Sequence, residues 1–113
     1  MSMREPTYYV LAALQDGPLH GYAILQRCAE LSGGRVRMST GTLYGALERL
    51  AAEGLVTPGE AEVVAGRTRR AYALTSEGTS ALHAEAERLA AAAAVVRRSP
   101  GSFAAFRPGL GTA

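Results

Sequence analysis

The chain has 113 residues, 12 of them basic and 10 acidic, with a formal net charge of +2. That length supports one domain with one core, and an apolar share of 48% excludes a wholly disordered chain. A single cysteine excludes an internal disulfide; Glu5 and Pro6 interrupt any leader-like apolar segment, and no apolar run approaches the ~20 residues of a spanning helix, so a cytoplasmic protein is expected.

Residues 7–15 are expected to form a first short helix, with Tyr8, Leu11, Ala12 and Leu14 near one face. Asp16-Gly17-Pro18 stops it, because proline cannot continue a helix. A second helix is expected over 19–31, its apolar stripe made by Ile24, Leu25, Cys28 and Leu31, and it ends at Ser32-Gly33-Gly34. Residues 35–38 alternate in polarity, as an extended linker or a minimal strand would.

The third helix begins at "STGTLYGALERL". Ser39 is its expected N-cap, its oxygen accepting from a free backbone amide. Leu43, Ala46, Leu47, Leu50 and Ala51 form the buried side; Gly41, Gly45, Glu48, Arg49 and Ala52 point outward. Gly54 closes the helix. A hairpin is expected next: residues 62–64 extend, Ala65-Gly66-Arg67 turns, and 69–74 return with Tyr72 and Leu74 on one face. Residues 66–70 hold Arg67, Arg69 and Arg70 and no acid, the densest basic cluster in the chain. Thr75 caps a long helix running to about Arg98, in which Leu82, Leu89 and Val96 recur at heptad spacing. From Ser99 the composition turns to proline and glycine, and a disordered tail is expected, with Phe103 and Phe106 as candidate docking residues.

Three helices, a hairpin and a long helix make a winged helix-turn-helix arrangement. A recognition helix enters the major groove by its N-terminal end. Free amides there attract phosphate, and short hydroxyl side chains add donors without bulk. Ser39, Thr40 and Thr42 suit that role, and Gly41 and Gly45 clear the outer face. A wing carrying Arg67, Arg69 and Arg70 would neutralise flanking phosphates. Tyr44 borders the buried stripe, and either a phosphate contact or packing suits it. Arg49 is a candidate for a base edge, with an ion pair to Glu53 as the alternative. Cys28 reads as core, and the two histidines and one cysteine are too scattered for a metal site. No catalytic constellation and no cofactor motif emerges, so no enzyme activity, cofactor or metal is expected.

The segment "GPLHGYAILQRCAELSGGRVRMSTGTLYGALERLAAEGLV", followed by "RTRRAYALTSEG", resembles the PadR family of bacterial transcriptional regulators. The resemblance runs from about Tyr9 to Leu89 and is most specific at Gly17-Pro18-Leu19-His20-Gly21-Tyr22, at residues 39–47, and at Arg70-Ala71-Tyr72 leading to Leu74-Thr75. It implies a winged-helix homodimer that binds double-stranded operator DNA, usually as a repressor, with the C-terminal helix as the dimer contact. This chain departs from the family pattern at Thr40 and Gly45, where proline is frequent, so an operator sequence does not carry over. It also has no tryptophan on which to stack a planar ligand, as some drug-binding members do.

The resulting expectation is a mainly α fold with a small β-hairpin. A winged helix-turn-helix DNA-binding domain covers residues 1–75, a dimerisation helix 76–98, and a disordered tail 99–113. Ser39, Thr40, Gly41, Thr42, Tyr44, Arg49, Arg67, Arg69 and Arg70 are the expected DNA contacts, and Leu82, Leu89 and Val96 the expected dimer seam. A small-molecule effector is expected, if anywhere, at the dimer interface near Tyr8 and Tyr9. The alternative is a winged-helix adaptor whose arginines face an acidic protein.

Overall fold

A computed structural model of the chain describes residues 3–98. The expected tail, with Phe103 and Phe106, lies outside the described residues. Helix α1 spans Glu5–Ala13 and begins two residues earlier than periodicity suggests, because Pro6 sits comfortably in a first turn. Leu19–His20 is not helix but a short strand, β1, and α2 starts only at Gly21 (Gly21–Leu31). The apolar pattern could not distinguish the two, since β1 is created by a partner far away: Leu19 pairs with Tyr72 and His20 with Ala71.

Helix α3 spans Thr40–Ala52 and buries Leu43, Leu47 and Leu50 on one stripe. Its end is closed by paired backbone bonds, Leu55 N–H to the Leu50 carbonyl at 2.9 Å and Gly54 N–H to that of Ala51 at 3.0 Å. Strands β2 (Val56–Pro58) and β5 (Ala71–Leu74) follow, and with β1 they form a three-stranded antiparallel sheet in the order β1-β5-β2. Between β2 and β5 the chain makes a separate two-stranded hairpin from β3 (Glu62–Val64) and β4 (Arg67–Arg69).

One core joins α1 (Val10, Leu11), α2 (Ile24, Cys28) and α3 (Leu43, Leu47, Leu50) with Val36 and Val56. Leu31, expected on the α2 stripe, is instead 39% exposed, because α2 is already ending there at Ser32. The chain is thus a mainly helical winged helix-turn-helix with a small antiparallel sheet and a long C-terminal helix, α4 (Ser76–Arg97).

The start of α4 is locked to the corner between α3 and β2. Thr75 Oγ1 accepts from the Gly78 amide at 2.9 Å and donates to the Gly54 carbonyl at 2.6 Å, while the Thr75 amide donates to the Leu55 carbonyl at 3.1 Å. Gly78 is packed so tightly there that a Cβ would run into the Leu55 carbonyl and lie 3.0 Å from Leu74 Cδ2. The first turns of α4 then dock on the body through Leu82 and Glu85, both buried. From Glu87 to the end of the helix every residue is exposed.

Candidate nucleic-acid interface

The N-terminal end of α3 has the expected cap. Ser39 is extended (φ −74°, ψ 162°), and its Oγ accepts from the Thr42 amide at 3.1 Å. The same hydroxyl lies 3.0 Å from Thr42 Oγ1, to which it donates. Ser39 is therefore engaged inside the protein. The outward hydrogen-bonding capacity of this turn belongs to the Thr40 and Gly41 amides, which no helix can satisfy internally, and to the Thr40 and Thr42 hydroxyls.

Gly41 and Gly45 lie on the exposed face of α3, and a Cβ added to either would meet nothing within 4 Å. Neither is required by packing, and Gly45, in the helix interior, costs about 1 kcal/mol relative to alanine. Their effect is external: a smooth strip of backbone that another molecule can approach closely.

Tyr44 is the hinge between α3, α2 and the sheet. A Cβ on Gly21 would collide with its hydroxyl and sit 2.9 Å from its Cζ. Its ring lies 6.3 Å from that of Tyr72, tilted by 60°. Burial, with Tyr44 adding to it, pushes the Tyr72 phenol above its ordinary range. Tyr44 is still 41% exposed, so it is packed against Gly21 and yet open to solvent in part.

The wing turns at Ala65 and Gly66, both with positive φ (52° and 77°), the geometry of a two-residue hairpin turn. Arg67 is thus the first residue of β4 rather than part of the turn, and the return strand is broken at Arg70, between β4 and β5. Arg67 and Arg69 share one face of β4 by strand alternation. All three arginines are exposed, and among the described residues none of them forms an ion pair. The nearby carboxylate, Glu62, is directed instead to His20, with Oε1 3.4 Å from Nε2, and so links the wing to the start of α2.

Wing and helices converge. A cleft of about 420 Å³ is lined by Arg67, Arg69 and Arg70 on one side and by Thr40, Tyr44 and the Gly21-Tyr22 start of α2 on the other. Three guanidinium groups and the N-termini of two helices face one space, which suits a chain of phosphates. Tyr22, 73% exposed on this cleft, was not among the expected contacts. Its signal in the sequence was a large aromatic on the polar side of an amphipathic helix.

Two of the expected residues are engaged within the chain itself. Arg49 is not brought to this cleft: Nη2 donates to Thr7 Oγ1 at 3.1 Å, which ties the end of α3 to α1. Leu82 is 3% exposed within the chain's own core, so it has no surface to offer a second subunit; heptad spacing alone could not reveal that the core already covers it. Leu89 and Val96, by contrast, are 41% and 76% exposed. Arg35, near the start of α3, is held by Glu5 at 2.6 Å. Cys28 lies in the core, where burial pushes its thiol up to about 11. Among the described residues no group of three histidine, cysteine or carboxylate side chains could hold a metal ion.

The model of the transcriptional regulator PadR-like family matches residues 10–84. A protein encoded in a transposon of Streptomyces fradiae is 44% identical over 90 residues, covering 80% of this chain but 24% of that protein. Transcriptional regulator Rv3488 of Mycobacterium tuberculosis is 43% identical over 74 residues, 66% of this chain and 65% of its own length. Among solved structures, Bacillus subtilis PadR in complex with operator DNA superposes with a TM-score of 0.62 at 28% identity, over 71% of this chain and 45% of that one. A PadR family regulator from Eggerthella lenta gives 0.63 at 26% identity, over 83% and 80% of the two chains. The chain therefore spans about a quarter to two thirds of the length of the two curated relatives.

Proposed function

The chain belongs to the PadR-like family of transcriptional regulators, and on that premise we propose that it is a cytoplasmic, homodimeric repressor of a palindromic operator. The observation that carries this reading is the convergence of the α3 N-terminus and the three unpaired wing arginines on a single cleft. A solved relative, Bacillus subtilis PadR, is bound to operator DNA.

In this reading residues 1–75 hold the duplex. Thr40, Gly41 and Thr42 present amides and hydroxyls to one strand at the mouth of the major groove. Ser39 acts by holding that turn in shape, and Tyr44 sets the angle between α2 and α3. Arg67, Arg69 and Arg70 neutralise the flanking backbone, and Tyr22 adds a hydroxyl donor beside them. Helix 76–98 pairs the subunits through its free half, where Leu89 and Val96 face outward among alanines that permit close approach. Two recognition helices set about 34 Å apart then meet successive major-groove faces. An effector acting between Tyr8, Tyr9 and the paired helices would regulate by binding the DNA-competent dimer and its alternative with different affinity.

No helix among the described residues is long and apolar enough to cross a membrane. The test is titration of the purified chain against a labelled mixed-sequence duplex at low ionic strength, with sedimentation in parallel. A dimer that saturates the duplex and releases it as salt rises is expected. A folded dimer that ignores every duplex would refute the proposal.

A further inference from the structure

In residues 39–52 there is one acidic side chain, Glu48, and one basic, Arg49. Arg49 is drawn to Thr7 at the rear of α3. Glu48 is exposed and forms no ion pair among the described residues. With spacings of four, three and four, Gly41, Gly45, Glu48 and Ala52 make one exposed stripe. Three members of that stripe are glycine or alanine, so Glu48 is its only functional group. The residue lies about 12 Å along the axis from Thr40, two turns into the helix. It also shares a smaller cleft of about 350 Å³ with Arg70 and Tyr72, where the recognition helix meets the root of the wing.

Resting on the DNA-binding reading above, we infer that Glu48 is a specificity-determining residue that selects a cytosine in the major groove. A carboxylate accepts hydrogen bonds and cannot donate them, and phosphates repel it. Its desolvation is offset only where it meets a donor. In the major groove the base donors are the N4 amino group of cytosine and the N6 amino group of adenine; guanine and thymine offer acceptors there. Adenine carries the N7 lone pair beside its amino group, which repels the second carboxylate oxygen. Cytosine has a C–H at the corresponding place. Glu48 therefore adds little to affinity for arbitrary DNA and rejects guanine and thymine at the base pair it faces.

The test is selection of bound sequences from a random duplex pool with the full chain and with Glu48→Gln and Glu48→Ala. The position is solvent-facing, and thermal melting confirms that both variants fold. The unsubstituted chain is expected to recover a palindrome with one cytosine per half-site favoured about tenfold. Glu48→Ala should lose the preference at that position alone while binding mixed-sequence duplex more tightly, and Glu48→Gln should move it towards adenine. Identical preferences at every position for all three proteins would overturn the inference and leave the DNA-binding reading intact. Failure of the unsubstituted chain to enrich any sequence would remove both.

Discussion

The same chemical change, glycine to alanine, is predicted to act with opposite signs at two sites of this fold. At Gly78 the added methyl would drive into the Leu55 carbonyl, a backbone atom that cannot swing aside. Overpacking of this kind costs about 1–3 kcal/mol. Relief requires α4 to lift from the corner, straining the two bonds that Thr75 makes to Gly54 and Gly78, each contributing roughly 1 kcal/mol. Alanine recovers about 1 kcal/mol of helix propensity. The net expectation for Gly78→Ala is a loss of about 2–3 kcal/mol, or roughly 10–20 °C in melting temperature for a domain of this size. At Gly45 nothing lies within 4 Å of the new methyl. Gly45→Ala should therefore stabilise the fold by about 1 kcal/mol while weakening duplex binding. Urea titration followed by circular dichroism measures the stability changes, and fluorescence anisotropy the binding. A Gly78→Ala protein as stable as the parent would show that α4 does not dock as described. A Gly45→Ala protein that is stabilised and binds DNA unchanged would remove the purpose assigned to that glycine.

Replacing Arg67 or Arg69 with alanine should weaken binding to all duplexes alike and make the salt slope shallower by about one unit for each phosphate that is no longer neutralised; an unchanged slope in anisotropy titrations would exclude the wing. Leu89→Arg should give folded monomers in sedimentation, whereas Leu82→Ala should leave assembly intact and cost about 2–5 kcal/mol of stability, since Leu82 is core. The Arg88 guanidinium bonded to Glu85 holds that carboxyl below its ordinary value, aided by the Met3 backbone amide. Its stabilisation is complete above the usual glutamate range and disappears as pH falls through the lowered value; Glu85→Gln should flatten the acid limb of a melting-temperature profile. Cys28, with its thiol raised to about 11, favours the folded state fully below about 9 and loses that contribution as pH rises towards 11. It should react with a disulfide reagent at pH 8 only as fast as the protein unfolds.

Much of the candidate site was legible because its features are local. The Ser39 cap, the Leu43-Leu47-Leu50 stripe, the Thr75 cap and the glycine-tipped wing turn each follow from residues within a few positions of one another. Features that depended on distant partners were not legible. Leu19 and His20 continue an apolar helical pattern and become strand only because Tyr72 and Ala71 lie beside them. Arg49 sits on the polar side of α3, and its direction was decided by Thr7, 42 residues away. Tyr22 became part of the cleft only when the wing folded over the start of α2.

By itself, then, the sequence determined the caps at Ser39 and Thr75, the inward stripe of α3 and the turn at the tip of the wing, because caps, turns and side-chain periodicity act over a few residues. Tertiary structure alone decided which outward-looking groups remain available. Leu82 and Leu89 have the same side chain and heptad position, yet one is buried in the core and the other is 41% exposed, since burial depends on what lies opposite in space rather than on what precedes in the chain.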